Sequence, residues 1–223
     1  AALDEPGTSD EDSSEISFET AASEAVRQRY GKAGILLDDV SSIVLVAGWP
    51  SLAVSATALP LMTVEALCAA PLQVPRDIYV TENPSVFGSL MDKASSNGYR
   101  ELPHPLVCTS GQPSLAALRL LDCAALSGAR LWYSGDFDVK GVEMASSLAR
   151  RYSGRFHPWR MNTAAYRSVR HERLPKLSEA EKLYVSRLQA PWDPELTSFM
   201  AHAGYKVFQE HLLEELLLDY FHT

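Results

Sequence analysis

The chain has 223 residues, 46% hydrophobic and 22% charged, a globular composition in a length that suits one large domain. Its net charge of −8 is local: residues 1–24 hold eight carboxylates and no Lys or Arg, and the rest of the chain balances 20 acidic against 20 basic residues. Wholesale disorder, collagen-like and coiled-coil architectures are excluded, and the acidity of the whole chain says little against a polyanionic partner.

Three cysteines, Cys68, Cys108 and Cys123, form no CxxC pair. A disulfide framework and a cysteine zinc site are not expected, and a reducing cytoplasm fits. The most apolar stretch, Ile43 to Leu72, is broken by Pro50, Pro60 and Glu65, so it reads as buried elements rather than a membrane span. No signal peptide is visible. The opening Ala-Ala-Leu-Asp-Glu-Pro reads as a start in mid-chain, so the sequence is expected to be the C-terminal part of a longer protein.

In chain order, residues 1–15 read as an acidic flexible tail or linker. Residues 16–75 read as a lead-in packed on the domain, with a helix over Ile16–Gly31, a buried strand in Val40–Ala47 and a short helix at Thr63–Ala70. Residues 76–162 read as the core. There the strands DIYVT (Asp77–Thr81), Leu106–Cys108, Arg130–Tyr133 and Arg155–Trp159 alternate with helices over Val86–Ser96, Leu115–Leu126 and Val142–Arg151. Strand, polar turn and helix in repetition predict an α/β fold with a mostly parallel sheet flanked by helices. Residues 163–223 read as a helical extension, with a capping box at Ser178–Glu181, a helix opening near Asp193 or Thr197, and an apolar last helix at His211–Phe221.

The chemistry falls at strand ends, where such sheets place their working residues. Glu82 directly follows DIYVT. Asp136 and Asp138 follow RLWY in Ser-Gly-Asp-Phe-Asp-Val-Lys-Gly, with Gly135 and Gly141 expected to let the backbone turn tightly. Two aspartates at i and i+2 in extended backbone point the same way. Hard oxygen ligands of this kind select Mg2+ or Mn2+. Glu82 closes one strand and the Asp136/Asp138 pair, 54 residues later, closes another. Three carboxylates meeting in one crevice suit metal-assisted attack on a phosphodiester.

Together, VTENPSVF (Val80–Phe87), VCTSGQPS (Val107–Ser114), YSGDFDVKG (Tyr133–Gly141) and PWRM (Pro158–Met161) resemble a Toprim domain, a Rossmann-like fold shared with topoisomerase VI A subunits and the meiotic recombination nuclease. More closely, they resemble the C-terminal domain of the Toprim nuclease subunit of Wadjet anti-plasmid defence systems, over roughly residues 38 to 221. The resemblance implies a Mg2+- or Mn2+-dependent endonuclease. It would act on plasmid DNA in a complex with an SMC-like ATPase and kleisin-type subunits, with Glu82, Asp136 and Asp138 as metal-binding and catalytic carboxylates. Topoisomerase relatives carry a nucleophilic tyrosine on a winged-helix domain, which is not recognisable here, so attack by water is favoured. The family's N-terminal DNA-binding arm is also not recognisable, and Val139-Lys140 stands where relatives often have His or Pro.

From Arg150 to Lys176 eight basic residues face one acid, Glu172. The stretch reads either as a DNA-backbone track or as a basic face paired with the acidic C-terminal third. Ser110, Gln112, Lys140, Arg150, Arg151 and Arg160 are the candidate DNA contacts. Ser110 and Gln112 equally suit a plain helix start. Trp132, Trp159 and Trp192 read as core, and His104, His157, His171 and His202 have no ligand spacing. Cutting both strands requires two sites, so a homodimer is expected. The competing readings are a DxD nucleotide-sugar transferase and a non-catalytic docking subunit.

Overall fold

The apolar runs bounded by turn residues form six strands of one sheet. They are β1 (Ile43–Ala47), β2 (Thr57–Pro60), β3 (Asp77–Thr81), β4 (Leu106–Cys108), β5 (Arg130–Ser134) and β6 (Phe156–Pro158), in the order β2-β1-β4-β3-β5-β6. The computed structural model describes residues 42–50, 56–69, 74–170 and 173–222. The expected acidic tail and the helix over Ile16–Gly31 lie outside these.

Strands β4, β3, β5 and β6 run parallel, and β1 joins antiparallel to both β2 and β4. The architecture is α/β, as the sequence predicts. One difference concerns residues 43–60. The sequence places them in a lead-in packed on the core, yet β1 and β2 extend the core sheet itself. The four-residue strand TALP (β2) is too short and too close to Pro60 to stand out in the sequence; its pairing with β1 is what makes it a strand.

Among the described residues there are eight α-helices: α1 (Leu61–Ala69), α2 (Pro84–Ser96), α3 (Leu115–Leu126), α4 (Val139–Arg151), α5 (Thr163–Ser168), α6 (Glu179–Val185), α7 (Leu196–Ala203) and α8 (Leu213–His222). A 3-10 turn, Gln209–Leu212, leads into α8. Side chains that supply the missing hydrogen bonds of the first turn start most of them. Asn83 caps α2, which has Pro at its first position; Ser114 caps α3, Asp138 caps α4 and Asn162 caps α5. Both halves of the Ser178/Glu181 capping box are formed.

The order of crossovers fixes where the site lies. From β3 the chain moves to β4 on one side, then returns past β3 to β5 and β6 on the other. Right-handed connections therefore put α2 on one face and α3 and α4 on the opposite face. The contacts agree: Tyr220 of α8 packs on Tyr79, at 5.2 Å between ring centroids, on the face that α2 shares, while Arg151 of α4 binds Asp122 of α3. The strand order thus reverses between β3 and β5, and the crevice of a doubly wound sheet opens at such a reversal. Ile78, Val80, Leu131 and Tyr133 from these strands are fully buried in the same core as α3 and α4. No described helix is long and apolar enough to cross a membrane.

Candidate functional site

Glu82 and Asp136 meet at this reversal. Glu82 leaves β3 with its backbone N–H donating to the Ser134 carbonyl at 3.1 Å, so its side chain rises beside the β5 end. Its carboxylate Oε2 accepts from the backbone N–H of Asp136 at 3.2 Å and from the Tyr133 hydroxyl at 3.4 Å. Asp136 Oδ1 in turn accepts from the backbone N–H of Gln209 at 2.7 Å.

Asp138 has a different local role. Its Oδ1 accepts from the Gly141 N–H at 2.8 Å, capping α4. Between the two aspartates, Phe137 is fully buried and pairs by two backbone hydrogen bonds with Val207. This antiparallel bridge sets the alternation that puts Asp136 and Asp138 on the side away from Phe137. Among the described residues, no three His, Cys, Asp or Glu side chains are gathered in a metal-binding arrangement.

The two glycines of the loop act through space rather than through backbone torsion, since neither has a positive φ. A Cβ on Gly135 would lie 2.5 Å from Glu82 Oε2 and 2.9 Å from the Tyr133 hydroxyl. One on Gly141 would lie 2.1 Å from the Asp136 carbonyl oxygen. The expectation that they turn the chain is therefore corrected: they admit the carboxylate and the loop at close range. The left-handed residues are instead Ser110 (φ 56°) and Gly111 (φ 84°), where the loop after β4 bends so that the Gly111 N–H reaches the Glu82 carbonyl at 3.0 Å.

Burial and neighbouring charge make both carboxylates reluctant to ionise. Desolvation pushes Glu82 up to about 7, with Asp136 and Asp138 adding repulsion and the Asp136 N–H and Tyr133 hydroxyl opposing it. Desolvation also raises Asp136, helped by Asp138 and Glu210 and opposed by the Gln209 N–H and His211. The Tyr133 hydroxyl is buried and held well above its ordinary range, so it stays a neutral donor beneath Glu82.

The candidate DNA contacts divide. Ser110, Gln112, Lys140 and Arg150 are exposed; the first two lie in the loop after β4 and Lys140 in the first turn of α4. Arg151 is held by both oxygens of Asp122, with Nε to Oδ1 at 2.7 Å. Arg160, with a left-handed φ of 56°, is held by both oxygens of Asp219 on α8, with Nε to Oδ2 at 2.6 Å. Arg155 donates to the Gly128 carbonyl, and Arg167 lies 4.1 Å over the ring of Phe199. Much of the basic stretch is thus engaged within the fold.

Sequence reasoning missed the third side of the site, the turn at Gln209–Glu210. Gln209 Oε1 accepts from the Asn83 N–H at 3.0 Å, and Glu210 Oε1 accepts from Asn83 Nδ2 at 2.6 Å. No local pattern marks these residues, because their partners lie 126 and 127 positions away. The tryptophans behave as expected: Trp159 is buried, Trp132 donates to Asp77 at 2.8 Å, and Trp192 donates to the Met161 carbonyl at 2.6 Å. His104 stacks on Tyr79 and His157 on Trp132.

No curated protein matches the chain. A family model does, the one described as "Protein of unknown function C-terminus (DUF2399)", over residues 57–220. That span runs from β2 into α8 and takes in every residue of the site described above. With about three quarters of its 223 residues matched, the chain belongs to the DUF2399 C-terminal family.

Proposed function

We propose that this domain is a Toprim-type, Mg2+- or Mn2+-dependent DNA endonuclease. In this reading Glu82 and the Asp136/Asp138 pair form its acidic centre, and it serves as the nuclease subunit of an SMC-like plasmid-defence complex of the Wadjet kind. The observation that carries the reading is the Glu82 carboxylate seated on the Asp136 N–H at the β3/β5 reversal. A strand-end glutamate far from a DxD loop in sequence reaches that loop in space. A transferase that grips a diphosphate through DxD alone has no need of such a partner.

The residues fit a hard divalent cation on chemical grounds. Two carboxylates are raised by desolvation and by negative neighbours, and a cation among them relieves both costs. Glu82, Asp136 and Asp138 would hold it. A bound ion of this type supplies Lewis-acid neutralisation of charge building on a phosphodiester. Tyr133, neutral and buried, steadies the Glu82 carboxylate from below, which suits water rather than tyrosine as the attacking group. Lys140 in the first turn of α4, and Ser110 and Gln112 on either side of Gly111, whose N–H reaches the Glu82 carbonyl, are exposed and are the proposed phosphate contacts. Cleavage of both strands would take a second copy of the chain.

The test is nicking of supercoiled plasmid by the chain with and without Mn2+, comparing wild type with Asp136→Ala. Mn2+-dependent nicking by wild type alone is expected; equal nicking by both proteins would defeat the assignment.

Glu82 makes the stability of the metal-free protein depend on pH. Its folded-state value, about 7, lies above its ordinary 4.5. The folded form therefore binds more protons than the unfolded form between these values, and stability falls as pH rises. The metal-free protein should lose on the order of 3 kcal/mol between pH 4.5 and 7.5 from this group, with Asp136 acting in the same direction. Urea unfolding across that range checks it, and Mn2+ affinity should rise over the same window as the proton leaves.

A further inference from the structure

Gln209 is wholly buried, yet it is a polar amide in a turn otherwise closed by Val207 and Leu212, both fully buried. A core position that only fills space is better served by an apolar side chain, because every amide hydrogen left unpaired there is costly. Gln209 leaves its Nε2 without a partner among the described residues. Two of its other polar groups are used, on two different loops. The backbone N–H holds Asp136 Oδ1 at 2.7 Å, after β5. The side-chain Oε1 holds the N–H of Asn83 at 3.0 Å, directly after Glu82 in the loop that follows β3.

The neighbouring contacts repeat the pattern. Glu210 takes Asn83 Nδ2 at 2.6 Å, while Asn83 Oδ1 caps α2 through the Ser85 N–H at 2.8 Å. The Phe137–Val207 bridge ties the same turn to the DxD loop. The β3 and β5 ends are joined directly through Glu82, which bonds the Ser134 carbonyl, the Tyr133 hydroxyl and the Asp136 N–H, but none of these bonds reaches Asn83 or the Asp136 carboxylate. One residue from the C-terminal extension therefore spans them both.

We infer that Gln209 is a positioning residue for the acidic centre, setting the separation of the Glu82 and Asp136 loops by bonding to each. The inference rests on the nuclease reading for its catalytic meaning, but its geometry stands apart from it. Gripping one loop by its backbone N–H and the other by its side chain, this residue adds a brace beyond the β3–β5 pairing that already joins the two strand ends. Supporting contacts of this kind commonly set metal affinity by about tenfold or more.

The test uses Gln209→Met in the full chain, which keeps the volume and the backbone N–H but removes the grip on Asn83. Thermal unfolding should change little, because losing the unpaired Nε2 offsets the Asn83 N–H left without its acceptor. Mn2+ affinity by calorimetry should fall about tenfold. Plasmid cleavage should lose kcat to a similar extent with KM unchanged. Hydrogen exchange should quicken in peptides covering 80–84 and 134–138 and stay constant in β6. Should Met fail to fold, Gln209→Asn, one methylene too short to reach Asn83, goes through the same measurements. Wild-type affinity, kcat and exchange in the variant would overturn the inference. If the wild-type protein neither binds Mn2+ nor cuts DNA, the nuclease reading fails. Exchange alone then decides the positioning role: faster exchange in both loops upholds it, and unchanged exchange overturns it.

Discussion

Glu82→Gln should abolish Mn2+-dependent nicking while making the metal-free protein more stable at pH 8. Under the nuclease reading one of three carboxylates proposed to act together is removed, for which a drop of roughly 10^3-fold or more is expected, equivalent to about 4 kcal/mol of lost transition-state stabilisation. The gain in stability follows from the same burial. Above pH 7 wild-type Glu82 is an anion in a desolvated site beside Asp136 and Asp138, and the neutral amide escapes that cost. The amide oxygen still accepts from the Asp136 N–H and the Tyr133 hydroxyl, so the local fold persists. The two proteins should converge in stability near pH 4, where the glutamate is protonated in both the folded and unfolded chain. Urea titrations at pH 4 and pH 8, with plasmid nicking at pH 8, measure both effects. Retained nicking in Glu82→Gln beside an inactive Asp136→Asn would instead favour a transferase that uses DxD alone.

Gly141→Ala should destabilise the protein by about 3 kcal/mol and disable the site, although alanine is the better helix former. Gly141 lies in the first turn of α4, where the preceding loop folds back over the helix. A Cβ there meets the Asp136 carbonyl oxygen at 2.1 Å, and both sides of that clash are backbone. No side-chain rotation relieves it, so the loop carrying Asp136 must move away from Glu82. Gly88→Ala in α2 is the matched control. Nothing lies within 4 Å of its Cβ position, and alanine should stabilise there by roughly 0.5–1 kcal/mol. Opposite signs at two helical glycines, read from denaturant midpoints, isolate the effect of the clash; a stabilised Gly141→Ala would show that the loop yields without strain.

What the sequence revealed was governed by distance along the chain. DIYVT and Leu106–Cys108 are β-rich runs between turn residues and form strands over the predicted spans. Ser178 caps its helix through a bond three positions ahead, and that local pattern was legible; Asn83, Ser114 and Asp138 cap helices just as locally, but Asp138 was read for its charge rather than its cap. The three carboxylates were visible because each follows a strand. Strand order was not: that β3 sits between β4 and β5, bringing Glu82 to Asp136, depends on pairings between remote segments. Gln209 was invisible for the same reason. Arg151 and Arg160 show the converse. As charges in a basic run they invite a partner outside the molecule, but Asp122 and Asp219 lie near in space and claim them.

The turn at Gln209–Leu212 also bears on when the domain becomes competent. Ribosomes deliver the chain from its N-terminal side, so all six strands and both aspartates of the DxD loop are made before the segment that braces them. A partly synthesised polypeptide lacks the clasp across Glu82 and Asp136. Under the nuclease reading, the nascent domain holds its cation more weakly than the finished one until that turn is in place.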